Sequence, residues 1–332
     1  MKNIAIIGAG GWGTALAIYL GKLGYRVKLW VYEEDLAERI SHSRENDLYL
    51  PGFTIPEEVM PSNSLQETIE GAEVLLSAVP SHVCRSVYHQ MLSYLNKDLV
   101  LISATKGIEE GTLMRMSQVL RSVIEERFEP RIVVLSGPTF AREVASETPT
   151  AAVIASEEPS IAKMIQHRFS SPYFRLYTNS DVIGVELAGA VKNIVAIASG
   201  IVTGLGYGHN TIAALITRGL AEMVRLSRAM GGRAETLSGL AGMGDLVLTC
   251  TGALSRNRRV GERLGRGEKL ASIMKGMKMV AEGVRTSRAV AQLGERLGVE
   301  LPVTAQVYAV LYQDKDPHQA LLELMQRELK EE

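Results

Sequence analysis

Two lysines, one aspartate and a short run of arginines are the residues in this chain best suited to move a proton or grip an anion. Lys192 lies in ELAGAVKNIVAIASGI, an apolar stretch with helical character. Its neighbours three and four positions away are Ala188, Gly189, Val195 and Ala196, so no carboxylate on its own helix face can meet the ammonium. An amine in such a setting tends towards a lowered pKa, the state suited to giving and recovering a proton near neutrality. The plain alternative is a lysine that snorkels to solvent from an apolar helix. Lys106 follows an apolar run in SATKG, at the carboxyl edge of a strand where open α/β sheets bind ligands, although an exposed loop lysine is the ordinary reading. In SGPTF, Gly137 permits either close approach of a ligand or a simple turn, and Thr139 adds a hydroxyl. The stretch LAGMGDLVLTCTGALSRNRRVG carries Asp245, Thr249, Ser255, Arg256, Asn257, Arg258 and Arg259. As a loop-to-helix junction it could hold a phosphate through charge-assisted bonds and helix amides. A solvated basic face is the bland reading of the same run. Asp245, set after glycine, is either a turn residue or an acid able to hold a hydroxyl or steady an ammonium.

These groups need a scaffold, and the first residues of the chain supply its signature. IAIIGAGGWG runs from four apolar residues straight into Gly8, Gly10 and Gly13, and a helical pattern follows at once. Gly8 allows a tight turn off the strand, Gly10 lets the main chain approach a pyrophosphate, and Gly13 lets the helix sit close to the sheet. The helix N-terminus offers N–H groups and partial positive charge to phosphates. About 20 positions after the last of these glycines an acidic residue is expected to meet a ribose 2'-hydroxyl, which points to Glu33 beside Tyr32. Glu33 could equally just begin the next helix, where acids are favoured.

Apolar runs at residues 26–32, 73–79, 99–103, 131–135 and 150–155 alternate with helical patterns, including 112–127 and 159–169. That rhythm predicts an α/β Rossmann-type doubly wound, mostly parallel sheet. Residues 41–64, polar and bearing Pro51, Pro56 and Pro61, read as an irregular excursion. Past about residue 181 long amphipathic patterns take over. Helices are expected near 182–203, 210–230, 233–238, 256–264 and 285–297, and in the last turns before Glu332. The chain thus divides into a dinucleotide-binding domain, residues 1–180, and an all-helical substrate-binding and catalytic domain, residues 181–332, with a ligand cleft expected between them.

Composition bounds the function. A chain of 332 residues, 46% apolar and 22% charged, suits a soluble globular protein of two domains. A net charge of −1 argues against a coat for nucleic acid or an anionic membrane. Cys84 and Cys250 lack metal-finger spacing and read as thiols of a reducing cytoplasm, and no metal site is expected. The apolar start is broken too soon by glycine for a signal peptide. Residues 182–205 carry Glu186, Lys192 and Asn193, so no membrane span is expected.

Taken together, GAGGWGTALA, LWVY, ATKGIE, SGPTFAREVA, ELAGAVKNIVAIASGI, LAGMGDLVLTC, SRNRRVG and AEGVRT closely resemble the bacterial-type NAD(P)-dependent sn-glycerol-3-phosphate dehydrogenases, over almost the whole chain. The resemblance implies an oxidoreductase that interconverts dihydroxyacetone phosphate, a phosphorylated triose, and glycerol 3-phosphate for phospholipid synthesis, with NAD or NADP as cofactor. It implies that Lys192 is the proton donor and acceptor and that Lys106 touches substrate and cofactor. Gly137, Thr139, Asp245, Ser255, Arg256 and Asn257 match substrate positions, and Thr249 lines the same pocket. Gly11, Trp12, Ala141, Arg256, Val280 and Glu282 match cofactor positions. Relatives that prefer NADP often carry arginine just after the second strand's tryptophan and small residue; here Trp30, Val31, Tyr32 and Glu33 occupy that stretch. A 2'-phosphate needs a cation and Glu33 would repel it, which favours NAD, although Arg44 or Lys28 could reach in.

The expected mechanism places the pyrophosphate at Gly8–Gly13 and the triose phosphate group on Arg256 and Asn257. Lys192 then protonates the developing alkoxide while Lys106 adds positive potential. Two rivals stand beside it: a hydroxyacid dehydrogenase of the same two-domain build, and a regulator that senses NAD(P)H without turnover. A homodimer is compatible with the sequence, which does not specify oligomeric state.

Overall fold

The computed structural model describes residues 2–277, 279–329 and 331. Two compact units emerge, one of Met1–Lys106 with Arg115–Val182, the other of Gly107–Met114 with Ile183–Glu332. The first unit runs β1 (Asn3–Ile7), α1 (Gly11–Lys22), β2 (Arg26–Trp30), α2 (Glu34–Ser43), β3 (Glu45–Asn46), β4 (Leu50–Thr54), β5 (Val59–Ser62), α3 (Leu65–Ile69), β6 (Val74–Ser77), α4 (Cys84–Met91), β7 (Val100–Ser103), α5 (Met116–Ile124), β8 (Arg131–Ser136), α6 (Ala141–Ala145), β9 (Thr150–Ala155), α7 (Pro159–Phe169) and β10 (Phe174–Asn179).

Eight of these strands form one sheet in the order β10-β9-β8-β7-β6-β1-β2-β5. Every pair is parallel except β8 with β9. The central strands β6 and β7 are buried at all four positions, as strands covered on both faces must be, which explains their unbroken apolar sequences. From β1 the chain first builds outward through β2 to β5, then returns to add β6 on the other side. The switch point therefore lies between β1 and β6, at whose carboxyl ends open sheets of this kind take ligands.

Residues 41–64 depart from the irregular excursion expected of them. They hold the end of α2, the antiparallel pair β3–β4 and the edge strand β5. Pro61 sits in β5, and an outermost strand tolerates a residue without an N–H. β10 also went unread, because its buried–exposed alternation dilutes the apolar signal. The helix expected over 112–127 shrinks to Met116–Ile124, while Gly107–Met114 packs Ile108 and Leu113 into the core of the second unit.

That unit is helical: α8 (Val182–Gly204), α9 (His209–Ala229), α10 (Ala234–Leu237), α11 (Asp245–Thr251), α12 (Arg256–Gly265), α13 (Leu270–Lys275), α14 (Glu282–Leu297), α15 (Pro302–Tyr312) and α16 (Pro317–Met325). Glu332, where the last expected helix was to end, lies outside the described residues. α11, α13 and α15 lie outside the helices expected; a π-helical turn at Leu240–Gly244 leads into α11 and hides it behind a loop-like LAGMG. By length and composition alone α8 is apolar enough to cross a membrane, yet 94% of its most apolar window is buried inside the protein. It is the core helix of its unit. The axes of α8 and α12 approach until main chains touch: a Cβ at Gly261 would stand 1.9 Å from the Ile197 carbonyl oxygen, and one at Gly200 would stand 2.0 Å from that of Arg258.

Candidate active site

In the first unit the glycine turn has the shape its sequence demands. Gly8 takes a φ of 107°, a backbone region open to glycine, as the chain leaves β1. A Cβ at Gly13 would lie 1.9 Å from the Gly8 carbonyl oxygen, so only glycine lets α1 start this close to the strand. At Gly10 a Cβ would meet nothing within 4 Å, the open ground that a pyrophosphate needs. No acid occupies the first turn of α1 and no side chain caps it, so its positive end is left for an anion. Trp12 is half-buried against the unit's core. The residues present fit a dinucleotide.

The turn is braced by a residue the sequence reading missed. Asn46, fully buried on β3, donates to the Ala9 carbonyl at 2.8 Å and to Thr14 Oγ1 at 2.9 Å. No local pattern marks it, since its partners are more than 30 residues away. Beyond the end of β2, Tyr32 is exposed and edge-on to Trp30, and Glu33 is half-buried. Glu33 accepts a hydrogen bond of 2.6 Å from the Tyr49 hydroxyl. Both cations left open by the sequence are engaged elsewhere. Lys28 donates to the carbonyls of Glu67 and Glu70 at 2.7 and 2.9 Å, and Arg44 to those of Ile55 and Val59 at 3.1 and 2.9 Å.

At the carboxyl ends of β7 and β8 the structure brings together Lys106, Gly137 and Thr139. Lys106 Nζ donates to the Gly137 carbonyl at 3.1 Å and Thr139 Oγ1 donates to the same oxygen at 3.3 Å. Gly137 has a φ of 136°, and a Cβ there would press on Ala152 Cα at 3.0 Å. Ala141 opens α6 just beyond.

In the second unit Lys192 is not the carboxylate-free amine that its own helix suggested. Its Nζ lies 2.5 Å from Asp245 Oδ1 and 2.7 Å from Thr249 Oγ1, with the two side chains of the ion pair 8% and 1% exposed. The counter-ion comes from α11, 53 residues later, and Asp245 thereby takes the second of the roles its sequence setting left open, an acid that steadies an ammonium. Thr249 Oγ1, while accepting from Lys192, lies 2.6 Å from the Asp245 carbonyl as a donor, which fixes its rotamer. Cys250 beside them is pushed up to about 12, first by desolvation and against the pull of Lys192, so its thiol stays neutral.

α12 begins at Ser255, whose hydroxyl caps the helix by accepting from the Arg258 amide at 3.2 Å. Asn257 is buried and spoken for on both sides of its amide. It donates to Asn193 Oδ1 at 2.9 Å and accepts from the Gly283 amide at 2.9 Å. Through these two bonds it ties α8, α12 and α14 together beside the residue that follows Lys192. Arg256 reaches solvent but is walled by enough protein for desolvation to lower its pKa, with Glu282 at the start of α14 opposing. Val280 is half-buried on the loop before α14. The helical unit thus gathers a buried proton-bearing amine with its counter-ion and an arginine at a helix N-terminus.

Comparisons with known proteins agree on one family. The model of the NAD-dependent glycerol-3-phosphate dehydrogenase N-terminus matches residues 3–162 and that of the C-terminus residues 181–322. The glycerol-3-phosphate dehydrogenase [NAD(P)+] of Koribacter versatilis is 55% identical over 329 residues, 98% of each chain. That of Syntrophotalea carbinolica is 56% identical over 330 residues, 99% of each. The crystal structure of glycerol-3-phosphate dehydrogenase (gpsA) from Coxiella burnetii superposes with a TM-score of 0.93 at 41% identity, covering 98% of this chain and 99% of that one. With both halves matched, the chain belongs to the NAD-dependent glycerol-3-phosphate dehydrogenase family.

Proposed function

We propose that the protein reduces dihydroxyacetone phosphate to sn-glycerol 3-phosphate, and catalyses the reverse, by hydride transfer with a nicotinamide cofactor. The observation that carries this reading beyond family membership is the buried Lys192–Asp245–Thr249 constellation, in the same unit as Arg256 at the α12 N-terminus. Bound NADH or NADPH supplies the hydride. The chain's own residues do the rest. Amides at the start of α1 hold the pyrophosphate, and Glu33 takes the ribose 2'-hydroxyl. Arg256 and the first amides of α12 hold the substrate phosphate, whose remote binding orients the C2 carbonyl. The Lys192 ammonium delivers a proton to the C2 oxygen as it becomes an alkoxide and recovers one in the reverse direction. Asp245 keeps that amine counter-charged and, with Thr249, fixes its direction. Lys106, held by the Gly137 carbonyl, adds positive potential at the oxygen. Glu33, with Lys28 and Arg44 engaged elsewhere, favours NAD over NADP.

The test is an absorbance assay of the purified protein with NADH and NADPH, offering dihydroxyacetone phosphate or a 2-oxo acid. Oxidation of cofactor with the triose phosphate alone is expected. Turnover confined to the 2-oxo acid would assign a hydroxyacid dehydrogenase instead, and tight cofactor binding without turnover on either would indicate a sensor.

A further inference from the structure

The segment from Arg44 to Ile55 is built as a rigid clip, and its fastenings lie where a dinucleotide's adenosine half would be recognised. Asn46 secures the glycine turn, and its Oδ1 accepts from the Tyr49 amide at 2.9 Å. Gly52 donates to Glu45 Oε1 at 2.8 Å across the β3–β4 pair, and the Ile55 amide reaches the Arg44 carbonyl at 2.7 Å. From α6, Arg142 donates to the Pro51 carbonyl at 3.0 Å and lies over the Phe53 ring at 4.9 Å. Tyr49 is thereby fixed with its hydroxyl on Glu33 Oε1 at 2.6 Å.

We infer that Tyr49 is a positioning residue for cofactor choice: its phenol locks the Glu33 carboxylate in the orientation that accepts a ribose 2'-hydroxyl and repels a 2'-phosphate. The inference rests on the reading of Glu33 as the ribose partner. A glutamate at the head of a helix has several rotamers, and one swung into water would impose little repulsion on a bound phosphate. The short bond to a fixed phenol selects one rotamer and leaves Oε2 as the oxygen for the ribose. The phenol is held up to about 12 by burial and by Glu33 itself, so it remains a donor throughout the physiological range. Three cations near this surface, Arg44, Lys28 and Arg142, are committed to backbone carbonyls.

Calorimetric titration of the full chain with NADH and with NADPH, without substrate, measures the ratio of the two dissociation constants directly. Glu33→Gln should lower the NADPH-to-NADH ratio by about ten-fold, the order expected when a like charge near a protein surface is removed. Tyr49→Phe should lower it by about three-fold or more on the same scale, mainly by tightening NADPH. Glu33→Asp, which draws the carboxylate back from the phenol, should do likewise. In the Glu33→Gln background Tyr49→Phe should add nothing, because no charge is left to hold. A merely structural Tyr49 would weaken both cofactors alike and leave the ratio unmoved. If Glu33→Gln lowers the ratio while Tyr49→Phe and Glu33→Asp do not, the positioning role is overturned and the ribose reading survives. If no variant moves the ratio, the ribose reading fails too.

Discussion

Removing either member of the Lys192–Asp245 pair should hurt far more than removing both, and the structure sets the scale. Both side chains are nearly inaccessible, 8% and 1% exposed, at 2.5 Å from each other. Lys192→Met removes from the Asp245 carboxylate the opposite charge that lies 2.5 Å away. Breaking a buried pair on one side costs about 3–5 kcal/mol, whereas replacing the whole pair with neutral groups of similar size is often close to neutral. In a unit of this size a loss of 3 kcal/mol corresponds to roughly 6–12 °C in melting temperature. The assay is differential scanning calorimetry of Lys192→Met, Asp245→Asn and the double variant, following the transition of the helical unit. The double variant should recover most of the stability that the singles lose. Turnover should behave differently: Lys192→Met should lower kcat by about 10²–10⁴-fold and the double variant no further, as for groups acting as one unit. NADH affinity should hold, because the cofactor residues assigned to the first unit are untouched. Stability losses that add to within about 0.5 kcal/mol, together with near-normal turnover in Lys192→Met, would refute both the energetic coupling and the catalytic assignment.

Gly261→Ala should force α12 away from α8, because its Cβ would stand 1.9 Å from the Ile197 oxygen. A loss of about 1–3 kcal/mol is expected with a marked fall in kcat/KM, checked by calorimetry and steady-state kinetics. Arg256→Ala should raise the KM for dihydroxyacetone phosphate strongly; an unchanged KM would contradict its role as phosphate ligand. Glu222, buried, accepts from the Thr304 amide and hydroxyl at 3.1 Å each and from the Val303 amide, and burial raises its pKa above the usual carboxylate value. A raised folded-state pKa means that its contribution is fully present below the unfolded value and fades as pH rises through the folded one. The stability of the wild type relative to Glu222→Gln should therefore decline from about pH 4.5 upward, which denaturant titrations across pH would show.

What could be read from the sequence was local. Strand, glycine turn and helix fall within the first 22 residues, and each glycine there does what its position demands: positive φ at Gly8, open space at Gly10, close approach at Gly13. The central strands announced themselves because burial on both faces leaves no polar residue to confuse the pattern. The edges did not. β5 carries a proline and β10 alternates with exposed polar residues, so the apolar signal weakens where the sheet meets solvent. α11 was lost for another reason: glycines that permit a π-helical turn read, in one dimension, as a loop.

The site residues divide along the same line, and Lys192 shows why. Its helix and its lack of a carboxylate one turn away were visible, because each depends on residues within four positions, whereas its burial was open between a sunken amine and one that snorkels to solvent. What local spacing left open was which acid, if any, serves that amine, and Asp245 does so from a helix 53 residues further on. Asn46 and Tyr49 escaped notice for the same cause: one braces a turn more than 30 residues earlier and the other grips Glu33 from beyond α2. A sequence discloses the groups able to do chemistry when their type is rare for their surroundings, as with a lysine in an apolar helix. The pairing that aims those groups becomes legible only when the fold closes the distance: Asp245 stood among the candidates without an assigned lysine, and Tyr49 was not among them. Those aiming contacts, Asp245 to Lys192 and Tyr49 to Glu33, bear on proton transfer and on cofactor choice, so variants at either should alter function, including at Tyr49, whose sequence setting is unremarkable.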